Sequence, residues 1–99
     1  MKIIFSNAAE TDLEEIGDYI AKDNARRALT FVRELRVTAQ DIGSMPRAFP
    51  LVPRYEHHGI RRRPYGNYLI FYRVDEARIS IIRILHGARD YEALLFPVQ

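Results

Sequence analysis

Three consecutive arginines, Arg61-Arg62-Arg63, stand out among the residues of this 99-residue chain whose types could do chemistry. They fall in a strand-like run, where successive side chains point to opposite faces. Alternation puts Arg61 and Arg63 on one face, and Ile60 and Arg62 on the other. A face with two guanidinium groups is hard to bury, so it is either solvated or set against an anion. The plainer possibility is a charged edge strand that discourages aggregation. Arg83 interrupts the apolar run over residues 79–85. Strict alternation sets it with Ile79, Ile81 and Leu85, opposite Ser80, Ile82, Ile84 and His86. A charge there calls for a partner, either a bound group or an acid of the helices. His86 precedes Gly87, with Arg89 close behind. Such an imidazole can act as general acid or base, or simply as a hydrogen-bonded structural residue. The chain closes on Tyr91, Leu94, Leu95, Phe96 and Val98, an apolar end that either folds back on the core or docks a partner.

Other chemistries find little support. There is no cysteine, which excludes disulfides and thiolate metal sites and points to a reducing compartment. His57 and His58 are adjacent, would point apart on a strand, and have no suitably spaced third ligand, so no metal is expected. No Gly-rich phosphate loop, nucleophile elbow, carboxylate pair or dinucleotide fingerprint is present, so no cofactor is expected. No apolar run is long enough to span a bilayer, and residues 1–5 are too short an apolar start for a secretory signal. The expected location is the cytoplasm, without a membrane partner.

Charge is unevenly spread. Residues 7–23 hold six acids against Lys22 alone, and residues 47–73 hold six arginines against Glu56 alone. Of the 15 basic residues only Lys2 and Lys22 are lysine. Arginine forks onto carboxylates and phosphates, so the bias suits a recognition surface. Solubility, with pairing between the two halves, would account for it too.

The elements that must position these groups can be read from periodicity. Lys2–Phe5 predicts a strand. Asn7 is placed to cap a first helix, with Glu10 three residues on to close a capping box. Ala9, Leu13, Ile16 and Ile20 recur at helical spacing, with Tyr19 beside the stripe. Asp23-Asn24 breaks the pattern and caps a second helix with a stripe of Ala28, Phe31, Val32, Leu35, Ala39 and Ile42. Gly43 is expected to end it in the left-handed conformation, before Pro46. The helices form an antiparallel hairpin and lie on a sheet. Residues 43–59, with Pro46, Pro50 and Pro53, predict a semi-rigid surface loop. Strands are expected over residues 59–63, stopped by Pro64, then over Tyr68–Val74 and residues 79–85. Short links make them an antiparallel meander. Asp90 can cap a last turn over Tyr91–Leu95. The expected class is α+β in the order β-α-α-β-β-β with a short helical tail, one domain over residues 1–99.

Taken in order, these segments resemble the ParE branch of the ParE/RelE toxin superfamily. Ala9-x-x-Asp12-Leu13-x-x-Ile16-x-x-Tyr19-Ile20 is similar to its first-helix signature, and Asn24-Ala25-x-x-Ala28-x-x-Phe31 to its second, although Ala25 stands where proline is frequent. Gly59-Ile60-Arg61 and the run from Pro64 through Tyr68-Leu69-Ile70-Phe71-Tyr72 to Val74 resemble its central strands. Ile82-Arg83-Ile84-Leu85-His86-Gly87-Ala88-Arg89-Asp90 resembles its closing motif. The resemblance implies a helix hairpin on an antiparallel sheet. It also implies a cognate antitoxin of the ParD kind, commonly a ribbon-helix-helix protein, through which alone the toxin would meet DNA. ParE proteins are known for inhibiting DNA gyrase, whereas RelE-like proteins cut messenger RNA on the ribosome. Many RNA-cutting relatives carry arginine at the head of the third-strand motif, and this chain has Leu69 there. The tyrosine that some of them place further on is missing too, with Leu94, Leu95 and Phe96 in that stretch, although Tyr91 is a conceivable substitute. The resemblance therefore implies a gyrase inhibitor that works by contact, with Arg61, Arg63, Arg73, Arg83, His86, Arg89, Tyr91, Leu94 and Leu95 as partner-binding residues. On the alternative, an mRNA endoribonuclease, Arg61 or Arg63, Arg73, His86 and Arg89 would be catalytic.

Overall fold

The computed structural model describes residues 1–97, so Val98 lies outside the described residues. The chain runs β1 (Lys2–Phe5), α1 (Asn7–Ala21), α2 (Ala25–Asp41), β2 (Ile60–Tyr65), β3 (Tyr68–Val74), β4 (Arg78–His86) and α3 (Tyr91–Leu95). The sheet order is β1-β4-β3-β2. The meander β2-β3-β4 is antiparallel as expected. β1, which the residues alone left unplaced, lies parallel to β4 from Lys2↔Arg78 to Phe5↔Ile81. A parallel neighbour needs a crossover, and the helix hairpin with two strands of the meander supplies it.

The hairpin covers one sheet face. Ala9, Leu13 and Ile16 of α1 meet Phe31, Leu35 and Ala39 of α2 over Ile70, Tyr72, Ile79, Ile81 and Ile84. Both helix stripes were legible because the 3.6-residue period has to match a buried face. The caps differ by one residue at α1. Ser6, not Asn7, is the N-cap, and its Oγ accepts the Ala9 N–H at 3.0 Å. Ser6 is held there by the sheet, because its hydroxyl donates to Ile82 O at 2.8 Å. Glu10 is then a residue too late for a capping box and pairs with Arg36 at 2.6 Å instead. At α2 the expected cap holds, since Asn24 Oδ1 accepts the Arg27 N–H at 3.0 Å.

Gly43 is not left-handed. The helix tightens into a 3₁₀ turn over Ile42–Ser44. A Cβ at Gly43 would stand 3.3 Å from Met1 O, so the glycine permits a close backbone approach. β2 runs through Pro64 instead of stopping there. The missing N–H is tolerated because β2 is an edge strand of the sheet.

The second face has its own core of Val52, Ile60, Phe71, Leu85 and Phe96. Residues 43–59 are therefore more than a surface loop, since Val52 is fully buried and Leu51 bridges to Arg61. The apolar chain end folds back onto this face. Tyr55 and Phe96 stack at 4.1 Å, Arg54 pairs with Glu92 at 2.7 Å, and Arg62 donates to the Tyr91 hydroxyl at 2.7 Å. Leu95 is half-buried there while Leu94 stays exposed. No helix among the described residues is long and apolar enough to cross a membrane.

Candidate functional site

The register of β4 contains a bulge. Phe71 faces Arg83 but Tyr72 faces Ile81, which leaves Ile82 extra. The extra residue resets the alternation. Ile84 joins Ile79 and Ile81 under the helices, while Ile82 and Leu85 face the other core, so strict alternation misassigned this strand beyond Ile81.

Arg83 has found an acid of the hairpin. Its Nε and Nη2 donate to the two carboxylate oxygens of Asp12, each at 2.8 Å. Asp12 also accepts the Ile84 N–H at 2.9 Å. β1 pairs with β4 only as far as Phe5, and the carboxylate takes up the strand-edge donor beyond it. Asp12 is 4% exposed, and the paired carboxylate holds the Arg83 guanidinium above its ordinary pKa. Arg83 is thus anchored within the fold.

The β2 arginines divide as alternation predicted. Ile60 is buried in the second core and Arg62 reaches Tyr91 on the same side. Arg61 and Arg63 lie on the helix side, across from Tyr72 and Ile70. Both are largely occupied by the chain itself. Arg61 donates to Phe49 O at 2.7 Å. Arg63 donates to Pro64 O and lies 5.0 Å over the Phe49 ring. Arg73 is exposed and donates to His58 O at 3.3 Å.

The proposed acid–base and cationic residues do not converge. Arg73 stands across from Ile60, and His86 across from Tyr68. Five residues of strand separate these positions, roughly 17 Å.

His86 and Arg89 do share one feature, a cleft of about 710 Å³ between the hairpin and the adjoining ends of β3 and β4. Tyr19, Phe31, Tyr68 and Glu15 also line it. The Ala88 N–H donates to His86 Nδ1 at 3.0 Å, so the neutral ring carries its proton on Nε2. His86 meets Tyr68 edge-on at 5.2 Å. Burial, then the nearby Tyr19 phenol, pushes the Tyr68 pKa up. Arg27 is already matched by Glu34 at 2.7 Å, and Tyr65 donates to the same carboxylate at 2.6 Å. Arg89 is exposed and pairs with no carboxylate among the described residues. Sequence reasoning picked out His86 and Arg89 but not the aromatic wall opposite. Tyr19 and Phe31 stood in the helix signatures, but no single-chain pattern joins them to Tyr68.

A two-helix hairpin on a β1-β4-β3-β2 sheet is the architecture of ParE/RelE-like toxins. A chain of the chromosomal ParDE TA system from P. aeruginosa superposes with a TM-score of 0.72 at 22% identity, over 87% of this chain and 95% of that one. The RelBE2 toxin–antitoxin complex from Mycobacterium tuberculosis gives 0.64 at 22% identity, over 86% and 95%. A YoeB/ParE toxin from Agrobacterium tumefaciens gives 0.61 at 17% identity, over 87% and 98%. No curated protein matches the chain. The family model for the ParE toxin of type II toxin-antitoxin system, parDE, matches residues 3–91. The chain belongs to the ParE toxin family of type II toxin–antitoxin systems.

Proposed function

We propose that this toxin inhibits DNA gyrase by protein–protein contact and is neutralised by a ParD-like antitoxin, a ribbon-helix-helix protein through which alone it meets DNA. The observation that carries this is Leu69. Where RNA-cutting relatives carry arginine, an aliphatic side chain packs against the second core. Cleaving a phosphodiester needs a base, an acid and cations within hydrogen-bond reach of one phosphate. Leucine supplies no charge, Arg83 is committed to Asp12, and Arg73 lies at the far end of the sheet from His86. A structural relative that is part of a ParDE system supports an antitoxin partner. This mode of action sets the site in the cytoplasm, with residues 1–99 as one toxin domain.

Titrating the purified toxin into gyrase acting on relaxed plasmid tests the target. Supercoiling is expected to fall with toxin and to recover on adding antitoxin. Undiminished supercoiling at a large excess of toxin counts against gyrase.

The alternative, a ribosome-dependent endoribonuclease, draws on one observation: His86 with Nε2–H and Arg89 line the same cleft. It requires cuts in translated messages that His86→Ala or Arg89→Ala abolishes.

A further inference from the structure

We propose that the outer face of the helix hairpin docks a second copy of this chain, two hairpins closing face to face into a four-helix bundle. This pairing goes beyond the reading above and does not rest on it.

The sheet covers only the inner stripes of α1 and α2. On the solvent side the two helices leave an apolar groove of about 590 Å³, lined by Leu13, Ala28, Leu29 and Val32 and edged by Glu14 and Asp18. Leu29 on its wall is 70% exposed, and Val37, two turns further along α2, is 54% exposed. Contiguous apolar surface of this kind, rimmed by charge, marks an interaction site.

Charge identifies the occupant. Along this face α1 carries Glu10, Glu14 and Asp18, and α2 carries Arg26, Arg33 and Arg36. Glu10 and Arg36 pair within the chain at 2.6 Å. Glu14, Asp18, Arg26 and Arg33 are exposed and join no ion pair among the described residues. An acidic row and a basic row thus lie side by side, and the complement of that pattern is the same pattern turned over.

The register follows from two contacts. Glu10 meets Arg36, and a Cβ at Gly17 would stand 3.3 Å from Val32 Cγ2. In antiparallel helices this sets Glu14 level with Arg33, and Asp18 level with Leu29. A two-fold axis running along the hairpin lays α1 on α2 of the second copy at the same level. Glu14 then meets Arg33 of the second copy, twice by symmetry. Leu29 of the second copy enters the groove beside Gly17, where no side chain stands in its way. An axis across the hairpin would instead set α1 on α1, acid against acid, so charge selects the first arrangement. The cleft holding His86 and Arg89 lies on the other flank of α1 and stays open.

Helices of 15 and 17 residues are roughly 23–26 Å long, and two side by side are about 20 Å wide. The shared face is on the order of 500 Å² per chain, at the small end of specific interfaces, so the dimer is a weak one.

Sedimentation velocity on the full chain, from about 1 to about 300 μM, reads such an association. The sedimentation coefficient should rise with concentration from monomer toward dimer. Leu29→Asp, Glu14→Arg and Arg33→Glu all alter exposed side chains, and thermal melts confirm that the variants fold. Each should weaken self-association about ten-fold or more. An equimolar mixture of Glu14→Arg and Arg33→Glu should associate again, because every cross-chain contact once more joins an acid to an arginine. A parent chain that stays monomeric throughout, or a dimer that the three substitutions leave intact, overturns the proposal. So does a mixture no tighter than its two components. A helix of some other protein as the true occupant of this face would leave the parent chain monomeric, the first of these contrary outcomes.

Discussion

Asp12 ties α1 to the edge of β4 through three hydrogen bonds. It neutralises Arg83 and caps the edge of β4 while only 4% exposed. Removing one partner of a buried pair leaves the other uncompensated, at a cost of about 3 to 5 kcal/mol. Asp12→Ala should lose an amount of that order in urea unfolding. Asp12→Asn keeps an acceptor for the Ile84 N–H and should lose less. Equal losses would mean that the strand-edge hydrogen bond contributes nothing. Glu10 provides a weaker, pH-dependent contrast. The hydrogen bond from Arg36 holds its carboxyl below the ordinary glutamate range. A depressed folded pKa gives stability that is present above the unfolded value and is lost as pH falls through the folded one. Both partners are nearly half exposed, so solvent screening limits the effect to about half a kcal/mol. Glu10→Gln should lower Tm at neutral pH by a few degrees at most, about as much as it flattens the fall in Tm on acidification, because the contribution is already absent at low pH. A large drop at neutral pH would contradict this.

Among the elements, α3 is the short one on which the second sheet face depends. Five residues cannot hold a helix alone, so packing against Tyr55, Phe71 and Arg62 must hold it. Phe96→Ala removes the stacked ring and should cost about 3 kcal/mol. Amides of β3 near Phe71 should then exchange faster with solvent, while those of the α1–α2 hairpin change little. Uniform acceleration would mean that the two cores unfold as one. The elements legible in the sequence were those with a strong period, namely the two helix stripes and Tyr68–Val74. What escaped had non-local causes. Ser6 caps α1 because Ile82 O anchors it from 76 positions away. Pro64 stays in a strand because β2 lies at the sheet edge. Val52 is buried because the chain end returns over it, and one extra residue at Ile82 turns the faces of β4.

At the scale of the molecule, charge helps to hold the elements together. Part of it closes the fold, since acids of α1 meet Arg83 and Arg36. Arg73 and Arg89, by contrast, remain outward on separate parts of the surface. The resemblance to the ParE branch foresaw the family and the architecture. The cleft that joins Tyr19, Phe31, Tyr68, His86 and Arg89 was not legible, because it arises where β1 stops short of β4 and the hairpin tip overhangs the gap. Scattered cations and a leucine at the head of the third-strand motif fit a protein that grips other proteins.

One preparation of toxin, divided between two assays, tests this most directly. Half is titrated into gyrase supercoiling a relaxed plasmid, and half into a translation reaction read by primer extension at codon resolution. A contact inhibitor of gyrase should abolish supercoiling and leave the message intact. Codon-spaced breaks in the message, with gyrase at full activity, would contradict it.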